Sequence, residues 1–167
     1  MAPQLQLAAL IGFAALMLIA AFEDLRRLII PNALTLSICV LWPLYVVATP
    51  SLLVILASLA CGIAVFLVGA FCFSRGYLGG GDVKLLAAAA LWAGPGAIAP
   101  LLVLTGVLGG LLALLMLMPP GAQIVEFARA KLGPGDIPEK LAGTTPIPYG
   151  IAIAAAALLV IFVPHFR

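Results

Sequence analysis

Long apolar segments, separated by short polar or helix-breaking ones, dominate the pattern of this sequence. The apolar segments occupy approximately residues 5–22, 33–48, 51–73, 82–95, 97–118 and 147–164. A helix needs roughly 20 apolar residues to cross a bilayer, so the pattern predicts an all-α, polytopic bundle with six transmembrane spans. The fourth and fifth spans have the least defined boundary, because only Pro95 and Pro100 mark it.

The composition supports lipid as the main solvent of this chain. Hydrophobic residues make up 65% of the 167 residues, charged residues make up 8%, and the mean hydropathy is +1.30. Soluble proteins carry about 25% charged residues, so water cannot cover most of this surface. The length predicts one membrane-embedded domain over residues 1–167. The N-terminal apolar segment lacks a basic leader and is predicted to be a retained span rather than a cleaved signal peptide.

Lysine and arginine residues predict the orientation of the six spans. The loops after spans one, three and five share one side of the membrane, and they contain Arg26, Arg27, Arg75, Lys84, Arg129, Lys131 and Lys140. The opposite side contains only Arg167. Because basic residues accumulate on the cytoplasmic side, both termini are expected outside. The cytoplasmic stretch at about 119–145 begins with an amphipathic pattern, which predicts a short surface helix that ends at Gly133-Pro134-Gly135.

The cysteines and the histidine do not form a recognisable metal site. Cys39, Cys61 and Cys72 lie singly in apolar segments, and the single histidine, His165, lies near the C-terminus. This arrangement lacks four clustered zinc ligands. We expect no metal and no cofactor.

Two aspartates at the predicted cytoplasmic edge are the strongest candidates for chemistry. Asp24 follows the first span, and Asp82 begins the fourth, directly after Gly79-Gly80-Gly81. An acidic side chain at membrane depth is costly and therefore a functional candidate. Each has a plain alternative: Asp24 could be exposed to water, and Asp82 could cap a helix. Three glycines exceed what a cap requires, and they would allow another segment of chain to approach closely.

The predicted topology places both aspartates on one side of the membrane at similar depth. Two carboxyl groups in one partly dry site share a proton more easily than both ionise. The ionised group can then activate water while the protonated one polarises a peptide carbonyl. This pair would give the chemistry of an aspartic protease.

Three sequence fragments resemble the prepilin peptidases, a family of intramembrane aspartyl proteases. Residues 79–82 fit the G-x-G-D signature, within the longer string GGGDVKLLAA. Residues 24–32, DLRRLIIPN, resemble the segment that holds the first aspartate of that family, and Pro148-Tyr149-Gly150 resembles the motif that opens its final helix. The resemblance implies that Asp24 and Asp82 are catalytic and that the substrate is a prepilin.

The resemblance also implies which branch of the family and which cellular location to expect. Larger members carry an N-terminal cytoplasmic region with paired cysteines, associated with N-methylation of the pilin, and this sequence shows no such region. The chain therefore resembles the short, peptidase-only branch associated with Flp-type tight-adherence pili. The expected location is the bacterial inner membrane, and the expected partners are a prepilin and lipid, without nucleic acid. The oligomeric state is left open.

The remaining candidate residues are glycines, a lysine and the segment that opens the last span. Gly79, Gly80 and Gly81 could admit an extended substrate, since a helical peptide carbonyl is shielded from attack. Lys84 could extend to the membrane interface or lie beside the aspartates. Pro148-Tyr149-Gly150 either serves only as the start of a helix or also lies near the catalytic site. The alternative function is a small transporter or channel subunit in which the two aspartates bind protons or cations.

Overall fold

All regular structure in the described part of the chain is α-helical. The computed structural model describes residues 2–47, 51–132 and 147–163. Its helices are α1 (Ala2–Arg27), α2 (Asn32–Val46), α3 (Leu52–Ser74), α4 (Gly80–Leu117), α5 (Pro119–Lys131) and α6 (Tyr149–Phe162). The predicted all-α fold is confirmed for these residues, whereas the number of membrane crossings and their orientation stay predictions.

The six helices do not correspond one to one with the six predicted spans. Helix α4 contains both the fourth and the fifth predicted span, and α5 is the predicted surface helix. A break does occur near the expected boundary: Gly94 has φ 62° and ψ −171° inside α4. A positive φ of this kind favours glycine, which has no Cβ to clash with the backbone. Gly94 separates two helical arms, residues 80–93 and 95–117, whereas Pro100 lies within the second arm.

The two arms of α4 run in opposite directions. Gly81 packs against Ile30, just beyond the end of α1, whereas Gly109 packs against Tyr149 at the start of α6. The first turn of α6 in turn contacts the last turn of α1. Gly81 and Gly109 are 28 residues apart in the sequence, which would be about 42 Å in a straight helix. Both lie near the C-terminal end of α1, so the chain reverses direction at Gly94.

The core lies where α1, α2, α6 and the first arm of α4 meet. Trp92 packs against the rings of Phe13 and Tyr45, with centroid separations of 4.4 and 5.0 Å. The indole N–H of Trp92 donates a hydrogen bond to the backbone carbonyl of Ile38 at 3.0 Å. This bond satisfies the one polar group of a buried indole and joins α4 to α2.

Helix α3 packs on the first arm of α4 through small residues. A Cβ at Gly69 would lie 2.7 Å from Val83, and one at Gly62 would lie 3.2 Å from Leu91. Glycine at such positions lets two helix backbones approach closely, as is common between membrane helices. The helix ends at Ser74, and Gly76, just after the C-cap residue Arg75, has a φ of 77°, which is typical of the residue that follows a helix C-terminus. The turn to α4 therefore begins at a defined point.

The exterior of the bundle is strongly apolar. Three helical segments are long and apolar enough to cross a bilayer, namely Pro3–Arg27, Leu52–Ser74 and Gly80–Leu117. Asn32–Val46 and Tyr149–Phe162 are shorter apolar helices. Large side chains on these helices, such as Leu53 and Val40, are 76% and 68% exposed. A continuous apolar exterior of this kind requires lipid as solvent.

Helix α5 lies at the same end of the bundle as the end of α1. Arg129 of α5 is only 6% exposed. Its Nε donates a hydrogen bond to the backbone carbonyl of Leu25 in α1 at 2.9 Å. Helix α5 therefore docks on α1. The predicted surface helix is present over Pro119–Lys131, whereas the expected break at Gly133-Pro134-Gly135 lies outside the described residues.

Candidate active site

Asp24 is buried near the last turn of α1. Its side chain is 6% exposed, and its Oδ2 accepts a hydrogen bond from the backbone N–H of Gly150 at 2.7 Å. The alternative of a water-exposed aspartate is therefore wrong. Leu28, with φ 56°, ends α1 four residues later and turns the chain toward α2. Asp24 itself lies within α1 and faces the start of α6.

Asp82 lies in the first turn of α4. Its carboxyl group reaches back to the backbone N–H of Gly79, the residue that precedes the helix. A side chain at this position often binds the first free backbone N–H of a helix. Asp82 therefore does help to cap α4, as the structural alternative proposed. Its side chain is also half-buried and faces the cavity that Asp24 lines.

The three glycines before Asp82 occupy three different environments. A Cβ at Gly79 would lie 2.7 Å from Oδ2 of Asp82, and one at Gly80 would lie 3.3 Å from the ring of Phe73. A Cβ at Gly81 would lie 3.2 Å from Ile30. Each glycine therefore lets a different neighbour approach, namely the carboxyl group, α3 and the α1–α2 connection. A single cap glycine would explain only the first of these contacts.

A cavity of about 530 Å³ joins the two aspartates. Its lining comes from the end of α1, the α1–α2 connection, the end of α3, the start of α4 and the residue before Pro148. The lining residues are Asp24, Leu28, Ile29, Ile30, Asn32, Phe73, Gly79, Gly80, Gly81, Asp82, Lys84 and Ile147. These residues come from four stretches of the sequence, at 24–32, 73, 79–84 and 147, which converge on one space that contains both carboxyl groups.

The two carboxyl groups are close enough to influence each other. The charge of Asp24 acts on Asp82, and both side chains are largely removed from water. Two carboxyl groups in such a site cannot both ionise easily. Burial and the nearby like charge therefore both disfavour the state in which the two carboxyl groups are ionised together.

Lys84 lies beside the aspartates, one turn into α4. Its Nζ donates a hydrogen bond to Oδ1 of Asn32 at 2.9 Å, which links α4 to the start of α2. The side chain is exposed, yet it also lines the aspartate cavity. The two interpretations of Lys84 are therefore compatible, since the same side chain lies at the cavity and reaches the surface.

The segment Pro148-Tyr149-Gly150 both begins α6 and contacts the candidate site. Pro148 precedes the helix, and the Tyr149 ring packs directly against Gly109 of the second arm of α4. Gly150 contacts Asp24 so closely that a Cβ there would lie 2.9 Å from Oδ2. The structure therefore places Gly150 against an aspartate, whereas Tyr149 holds α6 against α4.

Arg129 is a contributor to the site that the sequence pattern did not reveal. The charge of its guanidinium acts on Asp24, and its Nη1 pairs with Glu126 at 3.0 Å. Its Nη2 is buried and has no hydrogen-bond partner within the described residues. In the sequence it counts only as one more cytoplasmic basic residue. Its position three residues after Glu126 was a possible signal, because residues at this spacing share one face of a helix.

Within the described residues, no group of three or more histidine, cysteine, aspartate or glutamate side chains could hold a metal ion. The site described above consists of two carboxyl groups, backbone N–H donors and two basic side chains. These groups can hold and transfer protons and can position a carbonyl group.

Comparison with protein-family models places the chain among known proteins. The model of the type IV leader peptidase family matches residues 11–114. The chain belongs to this family. No curated protein and no solved structure gives a match.

The matched range covers well over half of this family member and contains both Asp24 and Asp82. It ends before α6, so Gly150 lies outside it. Membership identifies a membrane-embedded peptidase that acts, in general terms, on type IV pilin-like leaders. The apolar exterior of the bundle agrees with a membrane location.

Proposed function

We propose that this leader peptidase is an aspartic endopeptidase with Asp24 and Asp82 as its catalytic pair. The observation that carries the proposal is the shared cavity, which brings together two carboxyl groups that lie 58 positions apart in the sequence. Both groups are at least partly buried. Asp24 accepts a hydrogen bond from the backbone N–H of Gly150 at the start of α6, and Asp82 accepts one from the backbone N–H of Gly79 at the start of α4. These contacts fix the carboxyl groups in position before a substrate arrives.

In the proposed reaction, one carboxyl group is ionised and the other is protonated. The ionised group takes a proton from a water molecule, and the oxygen of that water forms a bond to the carbon of the scissile carbonyl. The protonated group donates its proton to the carbonyl oxygen. The carboxyl group that took the proton from water then donates it to the nitrogen, and the carbon–nitrogen bond breaks. One hydroxyl of the intermediate returns its proton to the other carboxylate as the new carboxyl group of the product forms. The pair ends with one proton, as it began.

The proposed substrate is a type IV prepilin of the Flp class, which has a short basic leader followed by a long apolar helix. The proposed setting is the bacterial inner membrane, crossed six times with both termini outside. Both aspartates would then lie at the cytoplasmic edge, where the leader joins the apolar helix. Basic side chains near this edge, including Arg26 and Arg27, agree with that orientation. N-methyltransferase activity is not part of the proposal.

The test is co-expression with a candidate Flp prepilin, followed by detection of the shortened product. Asp24→Ala, Asp82→Ala and the corresponding Asn variants should each abolish cleavage. Neither the methyl group of alanine nor the amide of asparagine can exchange the required proton. Glu23→Gln is the matched control, since Glu23 precedes Asp24 and instead pairs with Arg27 at 3.2 Å. The control should cleave at near the parent rate.

Membrane insertion of each variant is measured in the same experiment by fractionation. An inserted Asp→Ala variant that still cleaves would show that the pair is not catalytic. If the parent chain leaves the prepilin intact and instead supports ion-dependent uptake, the chain is a transporter and the peptidase proposal is wrong.

A further inference from the structure

A second, apolar cavity adjoins the aspartate cavity. It measures about 360 Å³ and lies between α2 and α3, above the first arm of α4. Helices α2 and α3 both pack on α4 rather than on each other, so the space between them stays open as a groove. Its lining residues are Thr35, Leu36, Cys39, Leu59, Gly62, Ile63, Phe66, Lys84, Ala87, Ala88 and Leu91. We call it the α2–α3 groove.

The floor of the α2–α3 groove consists of small residues, and its walls consist of large ones. Gly62, Ala87 and Ala88 form the floor, and the two alanines are 9% and 2% exposed. Leu36 and Ile63 form opposite walls and are 64% and 59% exposed. Small residues below large apolar walls let a helix backbone approach closely. The floor extends from Lys84 to Leu91, about 10 Å or two helical turns.

Lys84 is the charged residue that lines the groove, and it also lines the aspartate cavity. It therefore stands where the two cavities meet. Its hydrogen-bond partner, Asn32, is neutral, and no ion pair involves Lys84 within residues 2–47, 51–132 and 147–163. An ammonium beside an apolar surface attracts an acidic partner. The other residues that line the groove are uncharged, so no acidic side chain of the groove pairs with Lys84.

We propose that the α2–α3 groove binds the apolar helix of the substrate, directly after the bond to be cut. The first two turns of that helix would lie on Gly62, Ala87 and Ala88, and an acidic residue within these turns would pair with Lys84. The preceding residues would enter the aspartate cavity in extended form. This proposal rests on the peptidase function and adds how the substrate is selected.

Charge exchange tests the role of Lys84. The probe is a synthetic substrate with a basic leader and an apolar helix that carries Glu, Gln or Lys within its second turn. Lys84→Glu should raise KM roughly tenfold for the Glu substrate. The parent enzyme should bind the Lys substrate poorly, and Lys84→Glu should bind it more tightly. The Gln substrate reports the effect of the new carboxylate on the aspartate pair itself, so the KM values of the Glu and Lys substrates are compared with that of the Gln substrate for each enzyme. An equal effect on all three substrates, as a lipid bound at Lys84 would produce, would overturn the pairing.

Disulfide trapping tests the groove without any need for cleavage. The enzyme carries Asp82→Asn with Cys61→Ser and Cys72→Ser, so that Cys39, which is exposed in the groove, is the remaining thiol. A cysteine is moved along the apolar helix of the substrate. Trapping should be confined to one position, or to two positions three or four residues apart, because only one face and about one turn of the helix can lie within disulfide distance of Cys39.

The matched control replaces Cys39 by serine and carries Val68→Cys. Val68 lies on the outer side of α3 and is 65% exposed. Trapping by Cys39 no stronger than by this control would exclude the groove as the binding site. Because trapping uses an inactive enzyme, this result is independent of whether the aspartates cleave the substrate.

Discussion

The backbone N–H of Gly150 donates a hydrogen bond to Oδ2 of Asp24 at 2.7 Å, which joins the start of α6 to the end of α1. The two residues are 126 positions apart in the sequence. A helix N-terminus has free N–H groups and favours a nearby negative charge. Helix α6 therefore stabilises and orients one member of the proposed catalytic pair.

Gly150→Ala should lower cleavage by at least about tenfold, because a misplacement near 1 Å can cost about a hundredfold in rate. The new Cβ would lie 2.9 Å from Oδ2 and 3.0 Å from Cβ of Asp24, so the carboxyl group must move. The measurement is the initial rate of prepilin cleavage by purified enzyme in detergent or in vesicles.

The matched control for Gly150→Ala is Gly106→Ala, also within a helix. A Cβ at Gly106 would meet no atom within 4 Å. This control should cleave at the parent rate. Equal rates for the two alanine variants would show that the contact between Gly150 and Asp24 does not position the carboxyl group.

Cleavage should depend on pH with a bell-shaped profile. At low pH both carboxyl groups of the Asp24–Asp82 pair are protonated, so no base remains to activate water. At high pH both are ionised, so no acid remains to protonate the carbonyl oxygen. The two limbs report the titration of the pair rather than of either residue. A profile of kcat/KM that rises to a plateau without an alkaline limb would contradict the requirement for an acid.

Arg129→Ala should weaken the docking of α5 and reduce cleavage. The substitution leaves the Leu25 carbonyl without its donor, and an unsatisfied buried acceptor costs about 1–3 kcal/mol. It also removes a positive charge that acts on Asp24. The measurements are thermal unfolding in detergent and proteolysis within residues 119–132.

Lys131→Ala is the control for Arg129→Ala. The Lys131 ammonium lies over the Phe127 ring at 4.7 Å on the same helix, away from the carbonyl of Leu25. This variant should unfold and cleave like the parent. Arg129→Lys should fall between the two, because it restores the charge without the full set of donors. If Arg129→Ala and Lys131→Ala behave alike, Arg129 does not hold α5.

A reporter fused after Arg167 should be found on the outer face of the membrane, and one inserted near Gly133 should be found in the cytoplasm. The reason is the distribution of basic residues, seven against one, between the two predicted sides. A phosphatase and a fluorescent protein at each position distinguish the two faces. A cytoplasmic C-terminus would contradict the predicted topology of six crossings with both termini outside.

The sequence by itself determined the helical class, the apolar exterior and the two aspartates. These properties are local. Apolar length and composition decide whether a segment can lie in lipid, and the position of an acidic residue at the end of such a segment is read directly from the sequence. The break at Gly94 was also close to the expected boundary between spans four and five. The residues and motifs that resemble prepilin peptidases indicated the family that the match over residues 11–114 then confirmed.

Tertiary structure alone decided how these local features meet. The sequence did not show that α4 folds back so that Gly81 and Gly109 lie near the same end of α1. It also did not show that Gly150 contacts Asp24, or that Arg129 of α5 is buried and bonded to Leu25 of α1. Such contacts join residues far apart in the sequence, and they depend on side-chain packing between helices. Apolar periodicity carries little information on this packing, because in a membrane the lipid-facing and the buried sides of a helix are both apolar.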